Sequence, residues 1–418
     1  MDRCLQKGVK MSYKDFIDLK YKPKDDIICY FRVEPAKGVT IEKAAEMVAG
    51  ESSVGTWTDV STMKPRIKDI GARIFSIKGN NVKIAYPSIL FEGGNMPQIM
   101  SSIAGNIFGM KAVKNLRLED VDFPSSLTKS FKGPLYGIDG IRKLLKVPKR
   151  PLVGTIVKPK IGLNEKEHAK VAYDAWVGGI DIVKDDENLS NQKFNSFSKR
   201  IVETLKMRDK AEKETGEKKV YMPNITSESD TMLKRANFVK EAGGRYLMVD
   251  IITVGWSALQ TVRNADEDLK LVLHAHRAGH GAFTKDLKHG ISMGVISKLT
   301  RIIGMDQLHV GTVVGKMFET KEEVLQNCDA LRGEMNGLKT TMPVSSGGLH
   351  ACLIPSLVKI FGNDFIIQAG GGIHGHPGGT VSGAKSMRQA LDAVMSNTDL
   401  KTYAKNHKEL KQALEKWG

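Results

Sequence analysis

Hydrophobic and polar positions change their rhythm once along the chain, near residue 150. Before that point, residues 26–33 (DIICYFRV) have strand composition, and residues 41–48 carry apolar side chains at helical spacing. Two β-like runs, 73–77 and 82–85, flank Gly79-Asn80-Asn81, and two such runs around such a turn predict a hairpin. A helix over residues 96–107 and a strand over 116–121 complete a βαββαβ order, which predicts a ferredoxin-like α+β domain. Gly133-Pro134 then punctuates the chain, so the first domain is placed at residues 1–132 and the second at 133–418, the latter closing in a short helical tail.

From Pro151 onward, short apolar runs alternate with longer amphipathic stretches. The runs cover residues 152–157, 180–183, 220–222, 246–252, 271–274, 307–310, 342–344 and 365–368. Helix candidates lie between them, for example residues 165–176, preceded by an Asn164…Glu167 capping pair. Eight β-then-α units over roughly 250 residues are the arithmetic of a (β/α)8 TIM barrel. A doubly wound open sheet is the alternative from pattern alone, but no GxGxxG follows an early strand. The expected class is therefore α/β, a C-terminal TIM barrel behind an N-terminal ferredoxin-like domain.

Nearly every run ends in polar side chains or glycines. In order these are Lys158 and Lys160, then Lys184-Asp185-Asp186-Glu187, Asn224, then His274, His276 and Arg277. His309, Ser345-Ser346-Gly347-Gly348 and Gly370-Gly371-Gly372 follow. The carboxyl ends of barrel strands are where TIM enzymes hold their chemistry. Side chains alternate along a strand, so Lys184 and Asp186 face the barrel mouth, Asp185 faces away, and Glu187 rejoins them in the loop. Two carboxylates suit a hard cation such as Mg²⁺. A lysine beside them makes sense as a ligand if CO₂ converts its amine to a carbamate; a salt-bridged strand end is the other reading.

His274, His276, Arg277 and His280 form a second cluster. Zinc, acid–base work and phosphate binding are all open to such a set, and no cysteine or close carboxylate completes a zinc site, which favours phosphate and proton transfer. The two glycine turns stand where barrels recurrently bind phosphate, with backbone N–H groups able to approach an oxyanion; tight turns alone are the alternative. Gly311-Thr-Val-Val-Gly-Lys316 is one residue short of a Walker loop and fits a lid better, with Lys316 swinging over a bound anion.

Composition changes this picture little. A chain of 418 residues with 41% apolar side chains suits a soluble globular protein of two or three domains. Residues 1–10 are polar and resemble no secretory signal, Met11 is a second possible start, and no run of about 18 apolar residues occurs. A cytoplasmic protein without a membrane partner is expected. Cys4, Cys29, Cys328 and Cys352 are far apart and form no CxxC pair, so incidental thiols are expected rather than a zinc site or disulfides. The net charge of +16 raises nucleic-acid binding, but the lysines interleave with glutamates, as over residues 212–219, which reads as solvated helix faces. Basic charge also attracts doubly phosphorylated sugars.

Eight motifs, taken in order, resemble the large subunit of ribulose-1,5-bisphosphate carboxylase/oxygenase (RuBisCO), with wording similar to the archaeal form III enzymes. They are Glu51-Ser-Ser-Val-Gly-Thr-Trp57, Gly105-Asn-Ile-Phe-Gly109, Lys158-Pro-Lys160, Lys184-Asp-Asp-Glu-Asn188, His274-Ala-His-Arg277, Gly311-Thr-Val-Val-Gly-Lys316, Ser346-Gly-Gly348 and Gly370-Gly-Gly372. They span nearly the whole chain. The resemblance implies carboxylation of ribulose 1,5-bisphosphate by CO₂, with O₂ competing as in a monooxygenase. It implies that Lys184 carries the activating carbamate and binds Mg²⁺ with Asp186 and Glu187. The carbamate would take the C3 proton and Mg²⁺ would stabilise the enediolate. Lys158 would handle protons at C2 with Lys160 near it, His276 would assist at the C3 hydroxyl, and Lys316 would hold the incoming carboxylate.

One phosphate would rest on Gly348, Gly370, Gly371, Thr56 and Trp57, with Gly347 in the same turn, and the other on Arg277, His309 and Ser346. Glu51, Thr56, Trp57 and Asn106 would complete the site of a neighbouring subunit, so a homodimer or a ring of dimers is implied, without a small subunit. The pathway implied is AMP and nucleoside salvage, with a reductive pentose-phosphate cycle as the other option. The sequence departs from the family at several points. Gly279 stands where many relatives have Met, and Ile156 stands where plant-type enzymes have Thr, with Thr155 before it. The segment 317–342 is shorter than usual and the C-terminal tail is brief. A RuBisCO-like enolase is the rival, but such proteins lose catalytic positions, and Lys158, Lys184, His276, Lys316 and Ser346 are all present.

Overall fold

The computed structural model describes residues 16–56, 58, 60–315 and 319–418. They form two compact units, one of the residues up to Phe131 together with Gly279–Leu299, the other of Lys132–Ala278 and Thr300–Gly418.

In the first unit, β1 (Asp26–Pro35) buries Ile27, Cys29, Phe31 and Val33, the period-two face of a strand covered on one side. The helix Ile41–Glu51 follows, its first turn capped by the Thr40 hydroxyl accepting from Lys43 N, with Ala44, Ala45, Met47 and Val48 buried. Then β2 (Arg73–Lys78) and β3 (Asn81–Pro87) pair antiparallel with Lys78 opposite Asn81, so the hairpin turns on Gly79-Asn80. Gly79 sits at φ +57°, the left-handed region that such a turn requires. The helix expected over 96–107 is shorter, Met96–Ile103, followed by a 3₁₀ turn Asn106–Gly109. It stops because the chain folds back over its own end, where a Cβ on Gly105 would meet the Ser101 carbonyl oxygen at 2.1 Å. With β4 (Val113–Asp122) the sheet order is β4-β1-β3-β2, the ferredoxin-like arrangement.

The second unit holds eight parallel strands. They are β5 (Leu152–Ile156), β6 (Ile182–Lys184), β7 (Val220–Met222), β8 (Tyr246–Asp250) and β9 (Val272–His276). After the two-residue β10 (Gly290–Ile291), which pairs with β4 in the first unit, come β11 (Gln307–His309), β12 (Met342–Ser346) and β13 (Ile366–Ala369). The order β7-β6-β5-β13-β12-β11-β9-β8 closes through the Asn224–Met248 bridge, with Met248 N donating to Pro223 O at 2.9 Å and Ile225 N to Met248 O at 3.0 Å. All eight apolar runs are strands, and the residues 165–176 helix is Glu165–Val177 with the full Asn164/Glu167 capping box.

One end of the barrel is sealed by apolar side chains. The helix Gly137–Leu145 presents Ile138, Ile141 and Leu145 to Leu152, Ile182, Val220, Tyr246, Val272, Met342 and Ile366, which open seven of the strands. Asp306 fixes that helix, its Oδ1 accepting from Tyr136 N at 2.7 Å and Gly137 N at 3.0 Å while Oδ2 accepts from Leu273 N at 3.0 Å. The polar chemistry is thereby left to the carboxyl ends. Among the described residues no helix is long and apolar enough to cross a membrane. Cys29, Cys328 and Cys352 are free thiols; Cys4, Met1 and Met11 lie outside the described residues.

Candidate active site

Strand β6 places Lys184 almost wholly inside the barrel, at 1% exposure. Its Nζ donates to the Asp185 carbonyl at 2.8 Å and lies 3.3 Å from Met248 Sδ. Burial pulls the Lys184 pKa below the ordinary lysine value, against the pull of the Glu187, Asp186, Asp250 and Asp185 carboxylates. That shift favours the amine, whose lone pair an ammonium lacks. Asp186 stands next to it with Oδ2 2.7 Å from Lys158 Nζ and Oδ1 accepting from Asn188 N at 3.2 Å and Asn188 Nδ2 at 3.0 Å. Burial works to raise its carboxyl, but these donors hold it below the usual carboxylate range.

Asp185 points the other way and is fully buried. Tyr221 Oη donates to it at 2.7 Å, Arg200 Nε at 3.2 Å and Asn224 N at 3.0 Å, and His168 Nε2 lies 3.0 Å away. Burial alone would push this carboxyl up; Arg200, His168 and the Asn224 N–H overcome it and bring the pKa down to about 2. Asp185 is thus an ionised floor on which β6 holds Lys184 and Asp186.

Strands β8, β9, β11 and β12 supply the opposite wall. His276 Nδ1 is 2.8 Å from Asp250 Oδ1, and its Nε2 is 3.7 Å from Glu187 Oε2, so the ring spans the two carboxylates. Arg277 Nη2 pairs with Glu319 Oε1 at 2.5 Å, while its Nη1 is buried with no hydrogen-bond partner among the described residues. His309 Nδ1 is 2.8 Å from Ser346 Oγ. The glycine turns meet each other here. A Cβ on Gly372 would come within 2.1 Å of Leu349 O, and one on Gly315 within 1.9 Å of Gly347 O. Only glycine lets these backbones touch, and the loop that leads to Lys316 is thereby laid against the Gly347-Gly348 turn. Gly370 lies against the Lys158 side chain, 3.1 Å from its Cε by the same measure.

The structure therefore gathers Lys158, Lys184, Asp186, Glu187, His276, Arg277, His309, Ser346, Gly347, Gly348, Gly370 and Gly371 on the strand ends of one unit. Lys160 is exposed in the turn beyond Lys158. Glu51, Thr56 and Asn106 belong to the first unit, and Trp57 and Lys316 lie outside the described residues. His280 falls in the Gly279–Leu299 segment of the first unit, its Nδ1 2.9 Å from Thr284 Oγ1. Sequence reading missed Asp250, Glu319, Gln307 and His374. Asp250 was hidden inside the run taken as 246–252; a carboxylate at a strand end was the available signal. His374, with Nε2 3.0 Å from both Thr155 Oγ1 and Ile156 O, ties the second glycine turn to β5.

Among the described residues no three His, Cys, Asp or Glu side chains gather as a metal-binding set. Asp186 and Glu187 are two hard oxygen donors, and a third place falls to Lys184, which fits a divalent cation only if its nitrogen acquires an oxygen-bearing group.

Comparison with known proteins agrees with this geometry. The model of the ribulose bisphosphate carboxylase large chain, catalytic domain, matches residues 137–417, and that of its N-terminal domain matches residues 15–127. The chain belongs to the RuBisCO large-chain family. A ribulose bisphosphate carboxylase of Methanosarcina mazei is 52% identical over 97% of this chain and 99% of its own. That of Pyrococcus furiosus is 50% identical over 97% and 98%. The solved octameric Rubisco of Pyrococcus horikoshii superposes with a TM-score of 0.94 at 46% identity, covering 98% of each chain. The dimeric archaeal Rubisco of Hyperthermus butylicus gives 0.91 at 43% identity, over 97% of this chain and 99% of its own. Large-chain RuBisCO architecture, a ferredoxin-like N-terminal domain followed in sequence by a TIM barrel, is thus shared with archaeal relatives over nearly the full length.

Proposed function

We propose that this chain carboxylates D-ribulose 1,5-bisphosphate with CO₂ and water to two molecules of 3-phosphoglycerate, with O₂ as a competing substrate. The observation that carries the reading is the buried Lys184 amine at the end of β6, within the electrostatic reach of Asp186 and Glu187, at the strand end where the family places its activated lysine. The Lys184 lone pair attacks the carbon of CO₂, the N–C bond forms as one C=O π pair moves onto oxygen, and an N–H proton leaves to solvent, so the nitrogen gains a carboxylate. Carbamylated Lys184, Asp186 and Glu187 would then hold Mg²⁺, which when bound supplies stabilisation of negative charge developing on substrate oxygens.

The remaining residues bind, orient and move protons. Lys158 delivers and removes protons at C2, with Lys160 beside it. His276, steadied at Nδ1 by Asp250, offers Nε2 to the proton of the C3 hydroxyl. Arg277, through its unpaired Nη1, takes one phosphate together with Ser346, with His309 behind the Ser346 hydroxyl. Backbone N–H groups of Gly347, Gly348, Gly370 and Gly371 take the other. Lys316 closes over the incoming carboxylate. Changing Asp250 to Asn is expected to lower kcat by about 10- to 100-fold with KM within about threefold, because an amide no longer stabilises a protonated ring. Steady-state kinetics read this directly, and an unchanged kcat would remove His276–Asp250 from the proton path.

Glu51, Thr56, Trp57 and Asn106 would come from a neighbouring subunit, in a homodimer or a ring of dimers without a small subunit; the octameric and dimeric assemblies of the solved relatives support this. Mixing inactive Lys184→Ala and Glu51→Gln chains after joint refolding should then restore roughly a quarter of wild-type activity, since half the dimers are mixed and each has one intact site. No recovery from properly mixed dimers would place both residues in one subunit's site. The archaeal company of the relatives supports a place in AMP and nucleoside salvage, in the cytoplasm. Product analysis tests the main reading: carboxylation yields two 3-phosphoglycerates per bisphosphate consumed, whereas an enolase yields an isomer with no gain of carbon.

A further inference from the structure

Beneath the Ser346 end of the site, a file of hydrogen-bonded side chains runs into the barrel. Ser346 Oγ is 2.8 Å from His309 Nδ1, His309 Nε2 is 3.0 Å from His274 Nε2, and His274 Nδ1 is 2.9 Å from the Gln307 amide oxygen. Neighbouring strands β12, β11 and β9 supply the four residues. The two imidazoles meet edge to face at 87° with centroids 4.9 Å apart, and His274 and Gln307 are fully buried. Burial brings the His274 pKa down to about 3 and holds His309 well below the ordinary histidine value, so both rings are neutral.

A neutral imidazole has one N–H and one acceptor nitrogen. The direction of any one link in the file therefore fixes the direction of all the others. If Gln307 accepts from His274, then His309 spends its N–H on His274 and Ser346 spends its hydrogen on His309. That order leaves no hydrogen for an anion at the mouth. If Gln307 donates instead, His274 donates to His309, His309 donates to Ser346, and the hydroxyl hydrogen faces outward. A half-turn of the amide exchanges its oxygen and nitrogen at nearly the same positions. With the oxygen toward His274, Gln307 Nε2 has no partner among the described residues, although it is buried. Turning it gives one of those N–H groups an acceptor, and a buried carbonyl is more readily left unpaired than a buried N–H.

We propose that Gln307, as donor at the buried end, and His274 are positioning residues that orient His309 and Ser346 so that the Ser346 hydroxyl offers its hydrogen to an anionic phosphate oxygen of the substrate. The inference deepens the proposed phosphate site and rests on that reading for the identity of the substrate. Neither residue touches the ligand, and a phosphate held equally in ground and transition states affects KM more than kcat.

The test uses the full-length protein and its Gln307→Met and Gln307→His variants. Met fills a similar volume with no donor, and an imidazole restores an N–H. Gln307→Met is expected to raise KM for ribulose bisphosphate about tenfold, with kcat within about twofold, as for the loss of one hydrogen bond to a charged oxygen. Gln307→His should return KM to within about threefold of wild type. Imidazole nitrogen shifts in isotopically labelled wild-type protein should place the hydrogen of His309 on Nδ1 and that of His274 on Nε2 with inorganic phosphate present. Hydrogens on His309 Nε2 and His274 Nδ1, or a folded Gln307→Met protein with unchanged KM, would overturn the proposal. If wild-type protein turns over no bisphosphate, the carboxylase reading fails, while the nitrogen shifts and the affinity for inorganic phosphate in wild type and Gln307→Met still decide the file's direction.

Discussion

Replacing Lys184 with methionine is expected to lower carboxylation at least about a thousandfold while leaving the protein as stable as before or more so. The two effects have one cause. Lys184 is buried, its Nζ against the Asp185 carbonyl and the Met248 sulfur, and its pKa lies below the ordinary lysine value. Burying an ammonium there costs free energy that a methionine of similar length does not incur. The sign follows from proton counts. Between the depressed folded pKa and the ordinary lysine range, the unfolded chain holds the extra proton, so wild-type stability rises with pH through that window. Lys184→Met should flatten this rise and be most stabilising below it. Denaturant melts across neutral to alkaline pH, run beside an activity assay, check both halves. A variant that loses activity by unfolding would remove the argument that Lys184 is kept for chemistry.

The second large effect is structural. Asp185→Ala should cost about 3–5 kcal/mol, because Arg200 would be left buried without its carboxylate. Arg200 is wholly buried, and Tyr221 Oη and Asn224 N also spend their hydrogens on Asp185. Acid titration gives an independent reading of the same group. Its carboxyl is depressed from 3.8 to about 2, so it contributes stability of about 2 kcal/mol that is fully present above pH ~4 and lost as pH falls toward 2. The Asp185→Asn protein should lack that contribution. Urea unfolding at neutral pH measures the first quantity, and its change between neutral and acid pH measures the second. Equal unfolding free energies for wild type and Asp185→Ala would mean that Arg200 finds another partner, and the floor beneath Lys184 would not depend on Asp185.

Much of this was readable from sequence, for physical reasons. Strands buried on both faces are short unbroken apolar runs, so all eight barrel strands stood out, and the polar residue that ends each one marked the mouth. Alternation alone separated Lys184 and Asp186 from Asp185. What escaped notice depends on contacts distant in sequence. Asp250 looks like a polar break in an apolar run until His276 is seen 2.8 Å away. The partnership of Arg277 with Glu319, and of His274 with Gln307, joins residues more than thirty apart that only strand order brings together. The end of the helix near Ala104 was equally unreadable, since it follows from a backbone crossing at Gly105.

Fixation of isotopically labelled CO₂ tests the central claim most directly. Purified anaerobic protein would be preincubated with bicarbonate and Mg²⁺, then supplied with ribulose bisphosphate, and acid-stable label counted in 3-phosphoglycerate. The account predicts label in wild-type product and its loss in both Lys184→Met and Lys316→Ala. A folded, carbamylated wild-type dimer that consumes bisphosphate yet incorporates no label would contradict it and make the protein an enolase.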